Sequence, residues 1–122
     1  MLMKNFEIYE NAKAINEAFA DTTQYLPVKV NFFIQKNKST LTTLAQDIEA
    51  ARMGIIRNYG EPTEDGNSYS IPKEKIGIAS KELNDLFEIE QEVDIKKVNI
   101  DNFPDDISLT TGQMEALMFM ID

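Results

Sequence analysis

Carboxylates are the only side chains of this 122-residue chain that offer acid–base or metal chemistry in any number. There are 21 of them, with no histidine and no cysteine. The commonest general base, the commonest transition-metal ligand and the thiolate nucleophile are therefore all missing. Three carboxylate groupings stand out. Glu88, Glu90, Glu92 and Asp94 alternate with Ile89, Gln91 and Val93, so an extended segment would align them on one side. A divalent ion could bridge such a row, but a solvated acidic face is the plainer expectation. Asp105 and Asp106 are adjacent, whereas a catalytic pair needs a fixed separation in a water-poor cleft. They follow Asn102-Phe103-Pro104 in what reads as an exposed loop. Glu64, Asp65 and Asn67 surround an Asp-Gly step, yet their spacing is not that of a calcium loop, and a plain turn is favoured. The five glycines are scattered and no basic patch with aromatics occurs, which argues against a phosphate loop and against nucleic-acid binding. We expect no catalytic, cofactor-binding or metal-ligating residue, no cofactor, and a protein that is not an enzyme.

The net charge of −9 is unevenly placed. Residues 1–81 hold ten acids and ten bases. Residues 82–122 hold eleven acids against Lys96 and Lys97, so 2 − 11 = −9. Such a surface repels phosphate backbones and anionic membranes and suits a basic partner; its plainer role is solubility. No apolar run approaches the ~18 residues of a membrane span. Met1 to Glu7 lacks the apolar core of a signal peptide.

The element that would position these groups runs from Pro27 to Gly60. Val30, Ile34, Asn37, Leu41, Leu44, Ile48, Ala51, Ile55 and Asn58 recur at alternating spacings of four and three. Seven of these nine heptad positions are apolar, the pattern of a coiled-coil seam. As one helix the span would be roughly 50 Å long and would outrun a globule about 35 Å across. A rival arrangement is a strand at 28–34, a loop, and a helix from about 40, because Asn37 to Thr43 is poor in helix formers. The single helix is preferred, since a break would reset the seam phase. Asn37 then either fixes register within the seam or lies wet near an open end. Tyr59-Gly60 stops the helix, with glycine expected in the left-handed conformation.

The remaining chain is organised around that rod. Residues 4–20 read as an amphipathic helix on Ile8, Ala12, Ile15 and Phe19, joined to the rod by a short connection as a helical hairpin. Tyr69 and Ile71 are expected to pair near Pro62 in a small ribbon. Pro72 opens a third helix over 73–90, with Ile76, Ala79, Leu83, Leu86 and Phe87 as its apolar face. Val93, Ile95, Val98 and Ile100 suggest a strand, broken at Lys96-Lys97. That strand would need the 62–71 ribbon or a second chain as its partner. Thr110 and Gln113 form a capping box for a last helix. There Met114, Leu117, Met118 and Ile121 share a face, with Phe119 and Met120 beyond it. The expected fold class is mainly α with a small β element (α+β). It is one domain, 1–122, made of a long helical hairpin (4–59), a short β-ribbon, third helix and strand (60–101), and a C-terminal apolar helix (110–121).

Leu26-Pro27-Val28-Lys29-Val30, Gln35-Lys36-Asn37, Tyr59-Gly60-Glu61 and the closing Leu109-Thr110-Thr111-Gly112-Gln113-Met114-Glu115-Ala116-Leu117-Met118-Phe119-Met120-Ile121 are together similar to a family of small uncharacterised proteins encoded by tailed bacteriophages of low-GC hosts. That resemblance implies phage origin and carries no functional residue across.

Two functions are therefore expected. The first is a phage-encoded, non-enzymatic structural, assembly or protein-interaction module that oligomerises through helical surfaces, with itself or with other phage structural proteins. The alternative is an acidic inhibitor that binds a basic host enzyme of defence or nucleic-acid processing. Either would act in the host cytoplasm or the virion, without nucleic acid or membrane as partner. The candidate interaction residues are Asn37, Leu41, Leu44 and Ile48 on the seam, Met114, Met118 and Phe119 on the last helix, and Asp105 and Asp106 in the acidic loop. A solvated Asp105–Asp106 pair predicts that replacing both by alanine changes stability by no more than about 0.5 kcal/mol. Calorimetry checks this, and a large loss of melting temperature would show that the pair is buried or metal-bound.

Overall fold

A computed structural model describes residues 1–20, 26–104 and 109–122. The chain is mainly helical with two small antiparallel pairs of strands. Strand β1 (Leu2–Lys4) leads into α1 (Asn5–Ala18), and α2 runs unbroken as Val28–Tyr59. At 32 residues, α2 spans about 48 Å. The weak helix formers after Asn37 do not interrupt it, because the seam is anchored in apolar packing on both sides, Val30 and Ile34 in one cluster and Leu41 and Ile48 in another. Val30, Ile34 and Leu41 are fully buried and Ile48 nearly so.

Strands β2 (Glu61–Pro62) and β3 (Tyr69–Ser70) pair antiparallel across the expected Asp65-Gly66 turn, where Gly66 has φ +73°. Gly60 departs from expectation. It is extended, at φ −96° and ψ 167°, and not left-handed. Its requirement is for space, since a Cβ there would lie 2.6 Å from the Ile56 carbonyl oxygen. A 3-10 turn at Lys73–Lys75 opens α3 (Ile76–Glu88). Ala79 is the buried residue of α3, while Ile76, expected on the apolar face, is exposed with Ile78 at the helix start.

Strand β4 (Glu90–Glu92) pairs with β1, Leu2 opposite Glu92 and Lys4 opposite Glu90. The strand therefore begins before Val93, and its partner is the chain's own first residues, neither the ribbon nor a second copy. Three residues are too few to show a period in sequence. Beyond the ladder, residues 93–98 run extended over α2. Val93 and Val98 face inward and Ile95 is half-buried, so the expected alternation is present without the expected strand. Ile100 is exposed and starts a 3-10 turn, Ile100–Asn102.

A side chain takes the place of the missing ladder. Asn37, fully buried, accepts from the Lys96 N–H at 2.8 Å and donates to the Lys96 carbonyl at 2.9 Å. It also donates to Met120 Sδ at 3.3 Å. Asn37 thus neither meets a second copy nor lies wet at an open end. Asn5 does related work at the start of α1, donating to the Leu86 carbonyl and accepting from Gln91 Nε2.

Helix α4 (Thr111–Leu117) has its capping box, with Thr110 Oγ1 accepting from the Gln113 N–H and Gln113 Oε1 from the Thr110 N–H. The helix then tightens into a 3-10 turn, Met118–Met120. That tightening splits the expected face: Leu117 and Met120 are buried, whereas Met114 and Met118 are exposed. Ile121 closes beside Val98 in a parallel bridge.

Two apolar clusters result. One joins Ile15, Phe19, Val30 and Ile34 to Val98, Leu117 and Met120. The other joins Met3, Ile8 and Ala12 to Leu41, Ile48 and Val93. Ile95 and Phe119 pack against both. Replacing Asn37 by alanine strands the Lys96 peptide group and is expected to cost about 2 kcal/mol. Urea unfolding measures this, and a loss under about 0.5 kcal/mol would show that the bonds are not needed.

Candidate functional site

The structure does not gather the nine candidate residues into one surface. Asn37, Leu41 and Ile48 lie in the core and Leu44 is half-buried beside it. A second copy could reach that part of the seam only by displacing this chain's own cover. Further along, Ala51 and Asn58 are exposed and Ile55 half-buried. Phe119 packs against both clusters, while Met114 and Met118 lie on the outer side of the last helix. Asp105 and Asp106 lie outside the described residues.

The alternating carboxylates do lie along one edge, and cations answer them. Lys4 Nζ is 2.8 Å from Glu88, the terminal ammonium 2.8 Å from Glu92, and Lys96 Nζ 3.2 Å from Asp94. The bond to Glu88, and then its charge, raise the Lys4 pKa. Asp65 accepts from Thr63 Oγ1 and from the Asn67 N–H, and these two bonds hold its carboxyl below the usual value. This is the bonding of a plain turn. Among the described residues, no three acidic side chains are grouped to hold a metal ion, and no helix is long and apolar enough to cross a membrane.

A concave feature that the sequence did not suggest lies between α1 and α2. Ala12 and Ala45 both line it, and this open notch has a volume of about 270 Å³. Tyr9, Lys13, Asn16 and Glu49 are among its walls. A second cavity of about 320 Å³ adjoins it, lined by Gln35, Lys38, Ser39 and Thr43 and sharing Asn16, Thr42 and Gln46 with the first. Asn16 Nδ2 donates to Thr42 Oγ1 at 2.9 Å across the groove.

One end of the groove is bonded across α1 and α2. Tyr9 donates its hydroxyl to Glu49 Oε2 at 2.9 Å, and Arg52 clamps both oxygens of that carboxylate at 2.9 and 2.7 Å. The Phe87 ring packs edge-on to Tyr9, with centroids 5.7 Å apart. The Arg52 hydrogen bonds lower the Glu49 pKa, and the bond to Glu49, aided by desolvation, raises that of Tyr9. Periodicity identifies the buried faces of helices, so an open notch between two helices leaves no such signal. No family profile, curated protein or solved structure matches the chain.

The Tyr9–Glu49–Arg52 chain predicts two pH limbs. Glu49 has a lowered folded pKa, so its contribution is present above the unfolded value and is lost as pH falls through the folded one. Tyr9 has a raised one, so its contribution is present below the unfolded value and is lost as pH rises through the folded one. Glu49→Gln is expected to bring the Tyr9 phenol back towards the ordinary 10.0 in an absorbance titration. It should cost less than about 1 kcal/mol, because the pair is partly screened by water. An unchanged tyrosine titration would contradict the coupling.

Proposed function

We propose that the chain is a phage-encoded, non-enzymatic protein-interaction module acting in the host cytoplasm or the virion. Its partner-facing surface is the acidic edge of α3 and β4, and its partner is a basic protein, either a host enzyme or another phage protein. The uneven charge carries this reading: the whole net charge of −9 falls in residues 82–122. On α3, Ile78, Lys81, Asp85 and Glu88 are exposed, with Asp85 paired to Lys81 and Glu88 to Lys4 at the surface, and Ile89 and Glu90 continue the exposed edge. Apolar groups set among charges give an interface contact area as well as steering. The absence of histidine and cysteine from the sequence supports a non-enzymatic role.

Self-assembly is the second reading, and the outer side of the last helix favours it. Met118 is 68% exposed, and methionine adapts to irregular surfaces. The covered part of the α2 seam gives self-assembly no support, because it packs within the chain.

Capture of a basic protein from infected cells by immobilised wild-type chain should weaken steeply between about 0.05 and 0.5 M salt. It should be lost in the double variant Asp85→Lys, Glu90→Lys. Capture indifferent to both salt and charge reversal would contradict the acidic edge. Light scattering and mass spectrometry of virions read the second possibility: a stable oligomer that Met118→Glu dissolves would favour assembly.

A further inference from the structure

The sheet of β1 and β4 has two strands, so each strand keeps an outer edge. Hydrogen bonds at both ends of the ladder fix its phase. At one end Val93 and Met1 exchange bonds, N–H to carbonyl and ammonium to carbonyl. At the other the Asn5 N–H bonds the Ile89 carbonyl. With Met3 opposite Gln91 between them, the residues that bond towards β1 are Ile89, Gln91 and Val93. Alternate residues of an antiparallel strand bond to opposite sides. The N–H and C=O groups of Glu90 and Glu92 therefore point away from β1.

The two outer edges differ. On β1, the start of α1 occupies the outward groups of Lys4, whose N–H bonds Glu7 Oε1 at 3.0 Å as the helix cap. On β4, no described residue bonds the backbone of Glu90 or Glu92 from the outer side. The side chains sort with the backbone. Glu90 and Glu92 are exposed on one face, while on the other Val93 is buried and Gln91 half-buried. Ile89 shares that second face at the start of the edge and is 52% exposed. Glu92 meets the terminal ammonium, but Glu90 has no ion-pair partner among the described residues.

Such an edge selects what can add to it. A second copy laid antiparallel on β4 would set glutamate directly across from glutamate, which is unfavourable in a ladder. An extended segment with lysine or arginine at every second residue would set opposite charges across. Apolar residues between those bases would turn to the face of Ile89. A basic helix would satisfy the charges and leave the edge groups to water, since it has no free backbone groups along its side.

We infer that the outer edge of β4 docks an extended basic segment of the partner protein, which adds antiparallel as a third strand with Lys or Arg opposite Glu90 and Glu92. This rests on the acidic edge being the partner-facing surface and adds how the partner is held. The probe is the peptide acetyl-Val-Lys-Val-Lys-Val-amide, titrated into the ¹⁵N-labelled full chain. Saturable shifts should centre on residues 89–93, with a Kd of about 1 mM. The Glu90 and Glu92 amides should move downfield as they gain acceptors. Two further peptides carry the same charge and two N-methyl groups, on the lysine nitrogens in one and on two valine nitrogens in the other. Only the first loses the donors that face β4, so it should bind about tenfold more weakly, while the second should bind as the parent does. Equal binding by the two methylated peptides would overturn strand addition and leave a basic partner in place. So would Glu90 and Glu92 amides that do not move, or equal binding by a peptide with glutamate in place of lysine. No saturable shift with the parent peptide would also overturn it, and salt-dependent capture of a basic protein would then still decide the acidic edge separately.

Discussion

A single primary amide holds the two halves of this chain in register. Asn37 presents the same donor and acceptor as a peptide group, and it presents them to one residue, Lys96. A helix has no free backbone groups along its side, so an extended segment cannot pair with it as with a strand. Asn37 supplies the missing edge. The reciprocal bonds fix which residue of the 93–98 segment lies over the middle of α2. From that position Val93 and Val98 enter different apolar clusters, one on each side. The N–H of Val98 then bonds the Met120 carbonyl, and the Asp122 N–H returns to Val98, which fixes the last turn of the molecule.

Asn5 does similar work just before that segment. It bonds the close of α3 and the middle of β4, and its own N–H bonds the Ile89 carbonyl. Two buried asparagines, Asn5 on α1 and Asn37 on α2, thus hold down β4, with its three ladder pairs, and the 93–98 segment that follows it. Hydrophobic burial supplies most of the stabilisation, but it is non-directional. The amides provide direction. The seam asparagine accordingly specifies the chain's own fold, where in a coiled coil it would specify the partner.

That substitution explains what was legible in the sequence. The continuity of α2, the turn at Asp65-Gly66, the capping box of Thr110 and the alternation of Val93 and Ile95 all arise from local periodicity or local hydrogen bonding. Each could be read without knowing what lay across from it. The partner of β4 could not, because Leu2 to Lys4 is too short to have a period and lies more than eighty residues away. Nor could the fate of the seam. A heptad pattern states that a helix buries one edge and is silent on whether a second copy or the same chain buries it. The split of Met114 and Met118 from Leu117 depends on a turn tightening from α to 3-10, which side-chain types do not announce. The α1–α2 groove was invisible for another reason: it depends on how two helices pack together, which the periodicity of neither one states.

The consequence for function is a shift of emphasis from the rod to the surfaces around it. With the Val30–Ile48 stretch of the seam covered, the features open to other molecules include the acidic edge, the outer side of the last helix and the exposed Val28 and Phe32 at the start of α2. Amide hydrogen exchange at Lys96 tests the central claim most directly. If Asn37 anchors this segment, the Lys96 amide exchanges only on global unfolding, as slowly as the Ile34 and Leu41 amides of the α2 core. Exchange at the rate of the exposed Lys97 amide would contradict it, and with it the account of how the C-terminal third is held on the rod.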